Sequence, residues 1–212
     1  MKSPWVIILL MFGLCTKGQK RFSEGMMAFA IRSYQGDVMS NTEVKGTCFF
    51  KGAHYRSTLT SEMGSTNLVY DAREGIGAIH HDHGAQRIMI PMDKTQWQDK
   101  NSIFKSREVH FDLQDDTLRV LGFLCKSATA KLSDSAFLKV YYTDEIIPEN
   151  TDVEWQFSQL KGLVLSMSVT SGSSKMELIT EQLSFDPVPI QKFDIPNLGY
   201  RVMNYWESKK LK

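Results

Sequence analysis

The sequence predicts a mainly β fold, an antiparallel sheet or open barrel with one or two short helices. Three observations carry this prediction. Apolar and polar residues alternate with a period of two through most of the chain beyond Met26. Turn residues interrupt that alternation at roughly ten-residue spacing. The long amphipathic helices that parallel strands need for their crossovers are missing from the pattern, and direct hairpin connections require antiparallel neighbours.

The chain opens on a segment that does not belong to this fold. Lys2 leads into the apolar run from Trp5 to Leu14, followed by Cys15-Thr16-Lys17-Gly18 and the polar Gln19-Lys20-Arg21. Positive start, apolar stretch and small residues in that order describe a signal peptide. The run is too short for the roughly 20 residues that cross a bilayer. Cleavage after Gly18 makes residues 1–18 the signal peptide and 19–212 a single β-rich domain. Lipidation at Cys15 is the less favoured reading, because Leu14 stands where a lipoprotein signal needs a small residue. The domain is therefore expected outside the cytoplasm, periplasmic or secreted.

Met27, Phe29 and Ile31 alternate with Ala28, Ala30 and Arg32, giving a first strand over residues 26–34 before the turn Gln35-Gly36-Asp37. Strands follow over 44–51, 54–60 and 66–70, with breaks at Gly52 and near Gly64. Residues 76–80 and 86–92 read as a hairpin around the polar tip His81-Asp82-His83-Gly84. Residues 93–105, with Trp97, Ile103 and Phe104 in a polar setting, read as a short helix or a long loop.

Strand signals resume at Val109, Phe111 and Leu113, with a turn expected at Asp115-Asp116 and a continuous strand over 118–131, apolar on both faces. A turn at Ser133-Asp134-Ser135 precedes a strand over 137–142, and Pro148-Glu149-Asn150 marks a loop. Leu163, Leu165, Met167 and Val169 alternate with smaller partners up to Ser171-Gly172-Ser173-Ser174, which turns the chain into a strand over 175–185. The end finishes in a short helix through Trp206.

Composition limits the partners. Removing Lys2 and Lys17 from 25 basic residues leaves 23 against 24 acidic ones, a net charge of −1. With its Lys and Arg scattered, such a chain has no footprint for nucleic acid. The 194 residues beyond Gly18 suit one domain, since β-rich domains of about 200 residues are common. Cys48 and Cys125 remain after processing. In an oxidising compartment they form either a disulfide, worth roughly 4 to 5 kcal/mol for so long a loop, or two buried thiols that behave as small hydrophobes.

No catalytic signature stands out. The mature part has no H-E-x-x-H, no G-x-S-x-G and no Walker or Rossmann glycine pattern. His81 and His83 are metal-ligand types that share one face of a strand, with His80 and Asp82 on the other. Two converging ligands fall short of a site, so a polar hairpin tip is the preferred reading, with no metal or other cofactor expected. Asp115-Asp116 and Asp144-Glu145 are carboxylate pairs suited to acid–base work, yet adjacent acids at strand ends read first as solvated turn residues. Cys125 follows Val120-Leu121-Gly122-Phe123-Leu124, a setting for a structural thiol. Nine of the 11 methionines lie beyond Met11 and, with the aromatics, supply either ordinary core or an adaptable apolar groove.

Three segments in order carry a family likeness: Leu121-Gly-Phe-Leu-Cys-Lys-Ser-Ala-Thr-Ala130, then Lys139-Val-Tyr-Tyr-Thr-Asp-Glu-Ile-Ile, then Leu160-Lys-Gly-Leu-Val-Leu165. Together they resemble the GLPGLI family of exported bacterial proteins and a related family of unknown function. Weaker echoes occur at residues 22–34, at Leu68-Val-Tyr-Asp71 and at Phe193-Asp-Ile-Pro196. Lys161-Gly162-Leu163-Val164-Leu165 lacks the Pro and second Gly of the family motif. The resemblance implies a curved half-barrel like that of the outer-membrane lipoprotein carriers, whose concave apolar face holds acyl chains, and it implies no catalytic residues. The expected function is a non-catalytic envelope protein that binds a lipid or another apolar ligand. An envelope protein that binds a protein partner without a pocket, and an unrecognised hydrolase, are the alternatives.

Overall fold

Alternation and turn chemistry produce fifteen strands and two short α-helices among the described residues of the computed structural model, which are 18–40, 42–102, 109–132, 136–149, 156–157, 159–196 and 198–211. The expected signal peptide up to Lys17, the turn at Ser133-Asp134-Ser135 and Asn150 lie outside them. The first strands are β1 (Lys20–Phe22), β2 (Glu24–Gln35), β3 (Val38–Met39), β4 (Val44–Lys51), β5 (His54–Ser61) and β6 (Gly64–Asp71). Then come β7 (Ile76–His83), β8 (Gln86–Asp93), helix α1 (Lys94–Lys100), β9 (Asp112–Val120), β10 (Phe123–Lys131) and β11 (Ala136–Thr143). The chain continues through β12 (Ile146–Pro148), β13 (Leu163–Ser171), β14 (Ser174–Ser184), β15 (Arg201–Val202) and helix α2 (Tyr205–Ser208).

Thirteen strands form one open, curved sheet in the order β15-β8-β7-β6-β5-β4-β2-β14-β13-β11-β10-β9, with β3 paired to β2. Neighbours are antiparallel except β15, which lies parallel to β8, and a separate parallel pair of β1 with β12. Right-handed twist accumulates across so many strands. Register shifts between Thr180 and Gln182, Tyr141 and Tyr142, and Lys126 and Ser127 add to it, because a bulge bends the strand that carries it.

One face carries the main core. Tyr55, Phe29, Met27, Leu138, Leu165 and Leu178 are fully buried there. The Trp97 ring of α1 lies flat on Tyr70, with centroids 4.0 Å apart, and meets Tyr55 edge-on. Helix α1 forms because Asp93 and Gln96 make a reciprocal capping box, each side chain accepting from the other's backbone N–H. This resolves residues 93–105 in favour of a short helix over its first part.

Three expectations change. The single strand expected over 118–131 is a hairpin, turned at Leu121 (φ 51°) and Gly122 (φ 84°). Two successive positive φ values suit a tight hairpin, and Leu at the first of them conceals the turn. Asp115 and Asp116 lie within β9 rather than in a turn; Lys126 pairs with Thr117 and Ser127 with Gln114, so the two acids are the bulged residues. The histidine segment is strand through His83, and the hairpin turns at Gly84 and Ala85.

The C-terminal segment wraps the sheet. Val188 and Phe193 pack on Val69 and Phe49 of the outer face. Arg201 and Val202 then pair along the β8 edge, and Tyr205 returns to the core cluster of the inner face.

Candidate functional site

The strap and α1 together enclose a cleft on the inner face of β6, β7 and β8. Its floor is Ile79, Ile88 and Ile90, and its walls are Met203, Tyr205 and Asp99. The volume is about 480 Å³, within the range of small-molecule sites. Alternation places the floor: Ile79 pairs with Ile90, and His81 with Ile88, so these side chains share one face.

The wall is fastened by one carboxylate. Asp99 Oδ2 accepts from Tyr205 Oη and from Lys209 Nζ, both at 2.6 Å. The Lys209 ammonium and then the Tyr205 hydroxyl hold the Asp99 carboxyl below its usual range. Burial, then the bond to Asp99, pushes the Tyr205 hydroxyl above its ordinary value. Tyr205 thus stays a neutral donor and Asp99 a charged acceptor. Thr66, Lys100 and Ser208 complete the rim.

The histidines divide between the two faces. On the inner face His81 Nδ1 lies 3.0 Å from Thr66 Oγ1, and the His81 and His83 rings are 5.9 Å apart. His83 Nδ1 lies 3.1 Å from the Met63 carbonyl oxygen. Among the described residues no group of three or more His, Cys, Asp or Glu is arranged to hold a metal ion. On the outer face His80 is buried rather than at a hairpin tip. Its Nε2 lies 2.9 Å from the Pro196 carbonyl oxygen, Tyr200 meets its ring edge-on, and Nδ1 has no hydrogen-bond partner. Burial lowers the His80 pKa, so the imidazole is neutral and donates to Pro196.

The other candidates separate as well. Asp116 accepts from Ser127 at 2.5 Å and from Lys139 and Tyr141 at 2.8 Å, and these donors, Lys139 first, hold its carboxyl well below the usual range. Such a carboxylate is a poor base. Asp144 and Glu145 form the turn before β12, with Asp144 bound to Lys126 at 2.5 Å. Cys48 and Cys125 are both buried thiols, and Cys48 Sγ lies 3.3 Å from Tyr55 Oη. Five strand-to-strand steps separate β4 from β10, about 24 Å along the sheet against the ~6 Å between bridged Cα atoms, so the disulfide alternative gives way to the thiols. Burial pushes the Cys125 thiol up to about 11, far from a nucleophile's range.

Sequence reading missed the cleft's wall. Asp99, Met203, Tyr205 and Lys209 come from segments roughly a hundred residues apart, and their meeting depends on the strap. The available signal was the capping pair Asp93 and Gln96, which starts the helix that carries Asp99.

No protein-family model and no curated protein matches the sequence. Solved structures do match. One form of PNGF-II is 9% identical with a TM-score of 0.50, covering 88% of this chain and 33% of that one. An uncharacterized conserved protein from Thermus thermophilus is 9% identical at a TM-score of 0.49, covering 84% and 90%. A LolA superfamily protein from Nitrosomonas europaea is 9% identical at a TM-score of 0.38, covering 82% and 91%. The chain thus spans about a third of the length of PNGF-II. The PNGF-II likeness is one of fold alone, and the scores of the other two are too low to extend it.

Proposed function

We propose that the chain is an exported, non-catalytic envelope protein that binds a lipid or similar apolar ligand in the cleft beneath its C-terminal strap. The observation that carries this reading is the cleft itself: an aliphatic floor of Ile79, Ile88 and Ile90, with Met203 in its wall beside the mutually bonded Tyr205 and Asp99. Burying apolar surface on that floor gains roughly 25 cal/mol per Å². The export signature at residues 1–18 and the GLPGLI-like motifs support the same reading from the sequence.

Native mass spectrometry and solvent extraction of the purified mature protein test it. An apolar adduct is expected, and Ile88→Glu, which puts a charge into the half-buried floor, should lower its occupancy at least ten-fold with the fold intact by circular dichroism. Protein that stays ligand-free after exposure to lipid vesicles would overturn the reading.

A further inference from the structure

The strap is well anchored at both ends and weakly held between them. On the outer face Val188 and Phe193 pack on Val69 and Phe49, and the Val188 N–H donates to Glu24 at 2.6 Å. On the inner face Tyr205 is fastened to Asp99. Between these anchors Leu198 is 84% exposed and Val202 61%, and β15 is two residues long. Little apolar burial holds that stretch. Polar fastenings hold it instead: Pro196 on His80, Tyr200 on Asp82 at 3.0 Å, and the Met203 N–H on the Met89 carbonyl at 2.9 Å.

His80 lies beneath this stretch, and the polar groups beside it are committed elsewhere. Asn67 opposes it on β6, but Asn67 Oδ1 accepts from Thr58 at 2.8 Å and from Arg56 at 3.3 Å. Met89, opposite on β8, offers a thioether. Asp82, two residues along the same face, accepts from Arg87 at 2.9 Å as well as from Tyr200, and the Arg87 guanidinium lies 4.2 Å from the Tyr200 ring centre. The charged groups acting on His80 are thus Asp82 of β7, Arg56 of β5 and Arg87 of β8, with the neutral Tyr200 above. One anion against two cations opposes a further positive charge.

The neutral ring suits this place, with Nε2–H donating to Pro196. A second proton goes to Nδ1, which has no partner, so the ring then carries a buried charge and a donor facing no acceptor. Burial is the largest effect lowering the His80 pKa; the Pro196 bond and Asp82 oppose it, and Arg56 and Arg87 add to it. Water relieves both costs, and it reaches the ring when Pro196 and Tyr200 lift away. We infer that His80 is an acid-operated latch: on taking a second proton it releases the strap at Pro196 and Tyr200 and lets β15 fray from β8, while Phe193 and Tyr205 keep the strap tethered on either side. β15 leads directly into Met203, so the latch sets how firmly that wall of the cleft is seated. It does not depend on the ligand reading.

Amide hydrogen exchange read by mass spectrometry, corrected for the intrinsic pH dependence of exchange, tests the latch on the mature protein at about pH 7.5 and about pH 5. Opening coupled to one proton changes the open-to-closed ratio by at most about ten-fold per pH unit. Protection at β15 and the Met203 amide should fall about ten-fold on acidification, with β2 and β14 unchanged. His80→Phe, which keeps a ring but no titrating nitrogen, and His80→Gln, which keeps a donor, should each abolish the fall. His54, whose ring packs 5.5 Å from that of Phe193, is a second imidazole at the strap. His54→Gln should leave the fall in place. The latch is overturned if the unaltered protein shows no fall, if both His80 variants retain it, or if acid strips protection from β2 and β14 as well, which is global unfolding.

Discussion

His80 condenses the tension between burial and charge at one residue. It is 1% exposed beneath the strap, with Nε2 donating to Pro196 and Nδ1 unpartnered. Asp82, Arg56 and Arg87 act on it from a distance, but burial is the largest effect and lowers its pKa. The sign follows directly: protons bind the unfolded His80 more readily than the folded one, so its contribution to stability is complete above the unfolded value of about 6.5 and declines as pH falls below it. His80→Gln keeps a donor for Pro196 and removes the titration. Urea midpoints at pH 7.5 and pH 5 should therefore differ less in the variant than in the unaltered protein. An equal difference would show that other groups set the acid sensitivity. In the sequence the histidine cluster reads as a polar tip, and its asymmetry is hidden because nothing local shows that a segment over a hundred residues later covers one face.

At the level of elements, close backbone approach explains a residue that the sequence marks only as part of a motif. Gly162 precedes β13, and a Cβ there would stand 2.2 Å from the Thr143 carbonyl oxygen. That neighbour is backbone of β11, which cannot swing aside as a side chain would. Gly162→Ala should cost about 1 to 3 kcal/mol, read as a lower urea midpoint with an unchanged slope. No loss would mean that β13 shifts freely at its start. Strands and hairpins with Gly at the turn were legible, as at Gly172 between β13 and β14. The β9–β10 turn was not, because Leu121 occupies a conformation that favours Asn, Asp or Gly. Likewise the Asp115-Asp116 pair mimicked a turn while serving as a bulge, a distinction that depends on the partner strand.

For the whole molecule, the proposed compartment can be tested directly. A protein expressed from the full sequence in a bacterial host that processes the signal should yield a mature chain beginning at Gln19, read by N-terminal sequencing of the periplasmic or secreted fraction. Recovery of an intact Met1 terminus in the cytoplasm would set the export reading aside. No helix among the described residues is long and apolar enough to cross a membrane.

The sequence by itself determined the class of the fold, the position of most strands and the sense of their pairing, since period-two alternation and turn residues are local properties of the chain. It also supplies the expectation of export, from residues 1–18. Tertiary structure alone decided that Cys48 and Cys125 lie on distant strands, that His80 is sealed while His81 lines a cleft, and that Asp99 receives Tyr205 and Lys209. Those outcomes depend on strand order and on the strap that rounds the sheet edge. Side-chain period reports which face a residue occupies and is silent on what will cover it.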